Sequence, residues 1–329
     1  MFFYKRCNLK KKLIIGGAVC LAATETAIAS YLFRRTMVRG AVDVNRTEKM
    51  SGTDWGKYFP EIKKKKGWLI KQEHKDVYIK SNDNLRLHGT LFPRSNSKKI
   101  VICLHGYSSN AGIGDYSAIS KFYLDRNFNI LMPDARAHGK SEGRYIGFGC
   151  LDRYDLLNWI KYVIDLLGEE CEILIHGTSM GAATATMASG LDLPNNVKGI
   201  ISDCAFTSPW EVFSNVLKNM YHMPPYPIIN IASSICKSVA GYTYDECNAA
   251  EEVKKAKVPI LFFHGDKDDF VPCWMSEKIY ENCISPKEIY IVKGASHAES
   301  YYKETEYYES KINDFINKYF FVREVKING

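Results

Sequence analysis

A serine between glycines is the residue of this chain best placed to act as a nucleophile. Residues 177–181 read Gly-Thr-Ser-Met-Gly and match the pattern GxSxG. An apolar run, 172–175, comes directly before them, and small residues, 182–185, come directly after. This context predicts a sharp strand-to-helix turn that presents the hydroxyl of Ser179 at the end of the strand. The pattern therefore indicates nucleophilic chemistry at Ser179.

Three histidines follow Ser179 and could serve as its general base: His222, His264 and His297. A serine hydroxyl is a poor nucleophile without such a base. His297 follows the last apolar run, 289–292, so it lies on the same edge of a parallel sheet as the serine. His222 falls in a predicted cap, where an exposed position is the simpler interpretation. His264 precedes a glycine and is expected to brace a turn, which leaves His297 as the favoured base.

The acid that orients the base is expected in the loop after the apolar run 260–263. Asp266, Asp268 and Asp269 all lie there, and their spacing alone does not choose among them. Asp203 also ends a predicted strand and is a further candidate. Each of these carboxylates could equally be a solvated turn residue. The residues thus predict a Ser-His-Asp site in which the acid is left open.

Two backbone N–H groups are candidates to bind the oxyanion of a tetrahedral intermediate. Met180 follows the nucleophile directly. The loop after the apolar run 100–104 reads His-Gly-Tyr, and the N–H of Tyr107 is the favoured second donor. Together with Ser179, these groups indicate acyl transfer.

The elements that must position these residues follow an alternating pattern. An antiparallel pair is predicted over 77–79 and 85–92. Short apolar runs then alternate with helical patterns, which predicts a mostly parallel sheet with helices on both faces. The runs are 100–104, 130–132, 173–175, 200–201, 260–263 and 289–292, and the helical patterns are 117–126, 153–167, 182–189, 274–281 and 304–319. Residues 205–257, rich in aromatic residues and broken by prolines, interrupt this rhythm and are predicted to form a helical cap.

The N-terminus is predicted to contact a membrane. Residues 13–33 are an apolar stretch with one charge, Glu25, and basic residues on both sides. As a helix this stretch would rise about 31 Å, near the thickness of a bilayer core. We therefore expect a single-helix anchor in 1–40, on an undetermined side of the membrane, and a linker over 41–75. The alternative is a signal peptide, cleaved after the sequence Ala-Ile-Ala at 27–29, and a secreted protein.

Charge and cysteine spacing exclude other classes of function. The chain has 329 residues with 44 basic and 37 acidic side chains. Ten of the basic and three of the acidic residues precede residue 51, so the remainder carries 34 of each. A nucleic-acid-binding body would be net basic, so no nucleic-acid partner is expected. The ten cysteines show no spacing typical of a metal site, and neither a metal nor another cofactor is predicted.

Five ordered motifs resemble the bacterial α/β-hydrolase superfamily. They are Leu-His-Gly-Tyr at 104–107, Asp-Ala-Arg-Ala-His-Gly-Lys-Ser at 134–141, the GxSxG segment, His-Gly-Asp-Lys-Asp-Asp-Phe-Val-Pro at 264–272 and Gly-Ala-Ser-His at 294–297. They are most similar to membrane-anchored serine hydrolases related to dienelactone hydrolases, feruloyl-type esterases and serine aminopeptidases. The resemblance implies the α/β-hydrolase fold over 76–325, with 205–257 as its cap. It also implies Asp268 as the acid, His297 as the base and Tyr107 as an oxyanion donor, while Arg136 and His138 are implied to be structural.

The residues and the resemblance together predict a serine hydrolase that cleaves an acyl ester. Ser179, His297 and Asp268 would act through an acyl-enzyme, with Tyr107 and Met180 binding the oxyanion. A small acyl ester or a short peptide is the expected substrate, and the oligomeric state is not predicted. An aminopeptidase, a thioesterase or an acyltransferase remains an alternative on the same triad, and an acidic cluster near the serine, from 245–246 or 251–252, would favour the peptidase. A binding protein with an idle hydrolase site is the remaining alternative.

Overall fold

An eight-stranded sheet forms the centre of the molecule. The computed structural model describes residues 22–40, 52–107 and 112–320. The strand order is β1-β2-β4-β3-β5-β6-β7-β8. β2 pairs antiparallel with β1 and β4, and every other pairing is parallel, which confirms the predicted mostly parallel sheet. The strands are β1 (Lys75–Lys80), β2 (Arg86–Phe92), β3 (Lys99–Leu104), β4 (Asn129–Pro133), β5 (Glu172–Thr178), β6 (Val197–Asp203), β7 (Ile260–Gly265) and β8 (Lys287–Val292).

Both faces of the sheet are buried, which explains why the central strands read as continuous apolar runs. Ile100 and Ile102 point into one core, whereas Val101 and Cys103 between them point into the other. Successive side chains of a strand point to opposite faces, so this alternation follows from strand geometry. A strand covered on both faces needs apolar residues at every position.

Helices cover both faces. On one face, the helices Asp152–Leu167, Met180–Ala188 and Trp274–Asn282 contribute buried side chains to the core. On the other face, Ser120–Asp125 and Thr305–Tyr319 do so. Shorter helices lie at Gly112–Tyr116 and Ser300–Lys303.

The chain between β6 and β7, which the sequence predicts to form a cap, is largely helical. Ser208 begins its first helix by accepting a hydrogen bond from the Glu211 N–H at 3.2 Å, with Pro209 at the first helical position. Gly241, with a φ of 87°, ends its longest helix in the left-handed conformation. The elements of this region are Pro209–Asn215, a π-helical turn Val216–Met220, Ile228–Ala240, Ala249–Glu252 and a 3₁₀ turn Val253–Lys255. The exact bounds of the cap as a domain stay a prediction.

The prediction of a membrane anchor is wrong. Within 22–40, 52–107 and 112–320, no helix combines the length and apolarity that crossing a bilayer requires. The part of the predicted span that the structure describes belongs to a helix over 22–37, hereafter the N-terminal helix, and 13–21 lies outside the described residues. Ala29, Phe33 and Met37 on this helix are buried in the core of the domain. These three apolar residues therefore pack against protein, and the alternative cleavage site at 27–29 lies within the same helix.

The predicted linker contains regular structure in its described part. A 3₁₀ turn, Trp55–Lys57, leads into the helix Phe59–Leu69. Leu69 is fully buried, whereas the lysines at 63–66 lie on the exposed side or at its margin. Buried Leu69 and the contacts of Thr53, Lys57 and Tyr58 described below dock this segment on the domain.

Candidate active site

Ser179 lies on a strained turn between β5 and the helix Met180–Ala188. Its φ of 53° and ψ of −112° are unfavourable for a residue with a Cβ. The neighbouring glycines make the turn possible. A Cβ on Gly177 would overlap the carbonyl of Gly181, and a Cβ on Gly181 would overlap the carbonyl of Leu104. The glycines of the pattern are thus required by close approach of the backbone, and the turn aims the serine out of the carboxyl end of the sheet.

A hydroxyl, an imidazole and a carboxylate meet at this edge of the sheet. The Oγ of Ser179 lies 2.9 Å from Nε2 of His297, and Nδ1 of His297 lies 2.7 Å from Oδ2 of Asp268. Asp268 follows β7 and His297 follows β8, so the carboxyl ends of parallel strands bring them together. All three side chains are buried. The hydrogen-bond chain has the order that a nucleophile, its base and an orienting acid require.

The other candidate acids lie elsewhere. Asp203 accepts a hydrogen bond from the hydroxyl of Tyr308 at 3.1 Å. Asp266 is exposed and accepts a hydrogen bond from the N–H of Gly294 at 2.6 Å, and Asp269 is exposed. Of the four carboxylates weighed from the sequence, Asp268 is the one hydrogen-bonded to His297.

The two other candidate histidines, His222 and His264, lie in other surroundings than His297. His222 lies exposed in the cap region. His264 is fully buried and braces the loop after β7, as expected: its Nε2 donates to the carbonyl of Val271 at 2.7 Å, and Oδ2 of Asp268 lies 3.2 Å away. Two imidazoles thus contact the same carboxylate.

The surroundings of Asp268 keep it ionised. Burial alone would raise the pKa of its carboxyl, but the charge of His297 and the hydrogen bonds with His264 and His297 outweigh burial and hold the pKa at about 2. Its Oδ1 also accepts the backbone N–H groups of Val271, at 2.8 Å, and Phe270, at 3.1 Å. The carboxylate is therefore fixed in one orientation and negatively charged, as the partner of an imidazole that gains a proton must be.

The predicted oxyanion donors flank the serine. Met180 is the first residue of its helix, where backbone N–H groups have no acceptor within the helix. Gly106 lies against Ser179, since a Cβ built on it would be 3.5 Å from the serine Cβ. This places the 105–107 loop beside the nucleophile, and Tyr107 shares the adjacent cavity with it.

Two side chains hold the oxyanion loop in position: Asp115, which sequence reasoning did not assign, and His138, which the resemblance implied to be structural. Asp115 accepts the N–H of Gly106 at 2.8 Å. Nε2 of His138 lies 2.8 Å from the carbonyl oxygen of Tyr107. The guanidinium of Arg136 contacts Asp155 at 2.8 Å, so the histidine and arginine of the 134–141 motif make contacts of a structural kind. The motif marked them from the sequence, but their partners are remote in the chain.

A second set, also missed, holds the loop that carries the histidine. The hydroxyl of Thr53 donates to the carbonyl of His297 at 2.7 Å. Glu299 accepts the N–H of Ser296 at 2.9 Å, the hydroxyl of Tyr58 at 2.7 Å and the ammonium of Lys57 at 2.6 Å. Three of these partners precede β1, in the segment predicted as a linker, and no local pattern marks a contact across more than 240 residues.

An apolar cavity opens beside Ser179. Its empty volume is about 970 Å³, a figure that includes the open solvent at its mouth. Tyr107, Phe148, Phe206 and Phe270 line it near the serine. The helical region between β6 and β7, predicted as the cap, contributes Val212, Phe213, Leu217, Ile228, Ile229 and Ala232. One charged residue, Arg35, lies among its described lining residues, and no carboxylate does.

One group among the described residues has ligand atoms close enough to hold a metal ion. The group consists of Cys204, Asp268 and His297. Each offers one ligand atom (a sulfur, a carboxylate oxygen and a ring nitrogen), and these atoms lie within 4.8 Å of one another. Burial raises the pKa of the Cys204 thiol well above its ordinary value, which disfavours the thiolate that metals bind. Both ring nitrogens of His297 already have partners. The arrangement fits a proton-transfer chain better than a metal centre, and the absence of a cofactor stays a prediction.

Comparisons with known proteins establish the family. Residues 99–233 match the family model described as alpha/beta hydrolase fold. The uncharacterized protein YqkD of Bacillus subtilis is 30% identical over 225 residues, which are 68% of this chain and 73% of that protein. The chain belongs to the α/β-hydrolase family.

Solved structures share the fold. The esterase Pf2001 of Pyrococcus furiosus superposes with a TM-score of 0.64 at 24% identity, covering 77% of this chain and 94% of that one. The acylaminoacyl peptidase of Pyrococcus horikoshii superposes with a TM-score of 0.56 at 18% identity, covering 78% of this chain and 44% of that one. The membrane-anchored subgroup suggested by the sequence is not supported, because the described helices include no membrane span.

Proposed function

We propose that this protein is a serine hydrolase that cleaves a small acyl ester through a covalent acyl-enzyme. The observation that carries the proposal is the continuous hydrogen-bond chain from the Oγ of Ser179 through His297 to Asp268, with distances of 2.9 and 2.7 Å. A binding protein with an idle site would have no need for an intact chain of this kind. The strained backbone of Ser179 is a further sign of function. Such conformations cost about 1–3 kcal/mol, and they cluster at active sites, where the surrounding structure holds them in place.

The mechanism follows from these groups. His297 takes the hydroxyl proton of Ser179 on Nε2 while Oγ bonds to the ester carbonyl carbon. The N–H groups of Tyr107 and Met180 stabilise the resulting oxyanion. The carbon–oxygen bond to the alcohol then breaks, and the alcohol leaves with the proton held by His297. Water attacks the acyl-enzyme with His297 again as base, which releases the carboxylic acid and returns the proton to Ser179.

The cavity favours an ester over a peptide with a free amino terminus. A peptidase of the latter kind needs a carboxylate to hold the substrate ammonium, and the described lining has none. None of the acidic residues considered from the sequence is a described lining residue, and three of them pair with lysines: Glu246 with Lys237, Glu251 with Lys254 and Glu252 with Lys255. An esterase among the fold's solved neighbours agrees with this choice.

A paired substrate panel tests the proposal. We expect the purified protein to hydrolyse p-nitrophenyl esters, and aminoacyl p-nitroanilides to react at least about 100-fold more slowly in kcat/KM. The reason is that the apolar cavity can bury an acyl chain, whereas an ammonium group would be desolvated there without a partner. Preferred cleavage of the anilides, or no cleavage of any ester by folded protein, would contradict the proposal.

A further inference from the structure

We propose that the N-terminal helix is a wall of the acyl-binding cavity and that Leu32 on this helix limits the length of the acyl chain. The inference rests on the proposed esterase function and deepens it, because it names an apolar acyl chain as the group that the cavity binds. It also gives a role to a segment outside the part of the chain, 99–233, that matches the family model.

One face of the helix is divided between the core and the cavity. Ala29, Phe33 and Met37 recur every four residues and are at most 4% exposed. Leu32 and Thr36 lie beside that stripe and line the cavity together with Ser179. Positions three and four apart share a helix face, so packing of the first set orients the second set toward the cavity that Ser179 lines.

The helix is fixed at the end that meets the active site. The hydroxyl of Tyr107, the predicted oxyanion residue, donates to the carbonyl of Thr36 at 2.8 Å. The N–H of Ile146 donates to Met37 at 2.9 Å, and the N–H of Arg39 donates to Arg144 at 2.8 Å. These bonds tie the helix both to the loop beside the serine and to the 144–146 segment, so it is a built part of the cavity.

The chemistry of this wall selects an apolar group. Leu32 and Phe33 line the cavity together with apolar side chains of the cap, and its described lining contains no carboxylate. Each methylene that enters such a cavity removes apolar surface from water and so strengthens binding, until the chain meets the far wall. A larger or smaller residue at the wall therefore changes the affinity for long acyl chains and leaves that for acetyl groups nearly unchanged.

Chain-length profiles of Leu32 variants test the proposal. The substrates are p-nitrophenyl acetate, butyrate, octanoate and laurate, and the matched control is Ile28→Ala, one turn away, which removes core packing but does not line the cavity. We expect Leu32→Trp to lower kcat/KM for octanoate about ten-fold and to change acetate less than about two-fold. Leu32→Ala should move the optimum toward laurate, and it keeps the test available if the tryptophan variant does not fold. Equal changes for all four esters, or the same profile from Ile28→Ala, would overturn the proposal.

A second readout separates this inference from the ester assignment. Fluorophosphonates with a methyl or an octyl group are compared by their rates of labelling Ser179 in the wild type and the Leu32 variants. The same chain-length dependence without any ester turnover would support the role of Leu32 in limiting chain length and would reject the ester substrate. Ester turnover with labelling rates that are the same in the wild type and the Leu32 variants would reject the role of Leu32 and would leave the proposed function standing. Absence of both turnover and labelling would reject both.

Discussion

Replacing Ser179 with alanine is expected to lower kcat for the best p-nitrophenyl ester about 10⁵- to 10⁶-fold. The variant keeps the helix, the glycines and the cavity, and it lacks only the atom that bonds to the acyl carbon. The rate is measured under saturating substrate, with thermal melting as the check on folding. Because alanine is smaller than serine, the strained turn should persist and the melting temperature should change little.

Ser202→Ala is the matched control for this prediction. Ser202 is fully buried in β6 beside the nucleophile strand, and within the described residues its Oγ has no hydrogen-bond partner. Its loss should leave kcat within about two-fold, because Ser202 is not a described lining residue of the cavity and its hydroxyl has no hydrogen-bond partner to lose in the described part of the chain. Comparable activity of the two variants would show that Ser179 is not the nucleophile.

Replacing Asp268 with asparagine is expected to lower kcat about 10⁴-fold. Asparagine is isosteric but carries an NH₂ group, and it can favour the wrong tautomer of His297, in which Nε2 holds a proton and cannot accept one from the serine. The loss should be in kcat with little change in KM, because Asp268 is not a described lining residue of the cavity. The measurement is steady-state kinetics with the ester preferred by the wild type.

Asp203→Asn is the matched control for the acid. Asp203 is also a buried carboxylate at a strand end, but its partner is Tyr308, and burial raises its pKa to about 6. We expect less than about ten-fold loss of kcat, because no hydrogen bond connects Asp203 to His297 among the described residues. A collapse at Asp203 with activity kept at Asp268 would reassign the acid.

Because the pKa of Asp268 is about 2, the effect of Asp268→Asn on stability is expected to depend on pH. The value lies below the ordinary 3.8, so the stability that the ionised carboxylate contributes is complete above about pH 4 and is lost as the pH falls through about 2. Asp268→Asn should therefore lower the free energy of unfolding at pH 7, and this difference from the wild type should shrink as the pH falls toward 2. Any acid limb of activity above pH 4 should not report on Asp268.

The sheet and the nucleophile turn could be predicted because their signals are local. The apolar runs lie within strands buried on both faces, and the glycines at 177 and 181 are required by contacts within one turn and its nearest neighbour strand. His297 followed from chain order and strand edges. The choice of Asp268 among three clustered aspartates needed the family resemblance, since only the folded loop separates their orientations.

The N-terminal segments could not be predicted because their partners are distant in the chain. An apolar run flanked by basic residues is typical of a membrane span, and it is also what a helix looks like when it packs on a domain and lines a cavity. The four-residue recurrence of Ala29, Phe33 and Met37 is the one signal that favours packing. Likewise, nothing near Thr53 in the sequence indicates its bond to the carbonyl of His297.

Covalent labelling of Ser179 by a fluorophosphonate tests the central proposal most directly. The folded wild-type protein is treated with the probe and digested, and the modified residue is identified by mass spectrometry. A nucleophile activated by His297 should form a phosphonyl adduct on the peptide containing Ser179, and Ser179→Ala and His297→Ala should form none. An unlabelled Ser179 in folded protein, or an adduct on another residue that persists in Ser179→Ala, would contradict the serine hydrolase assignment.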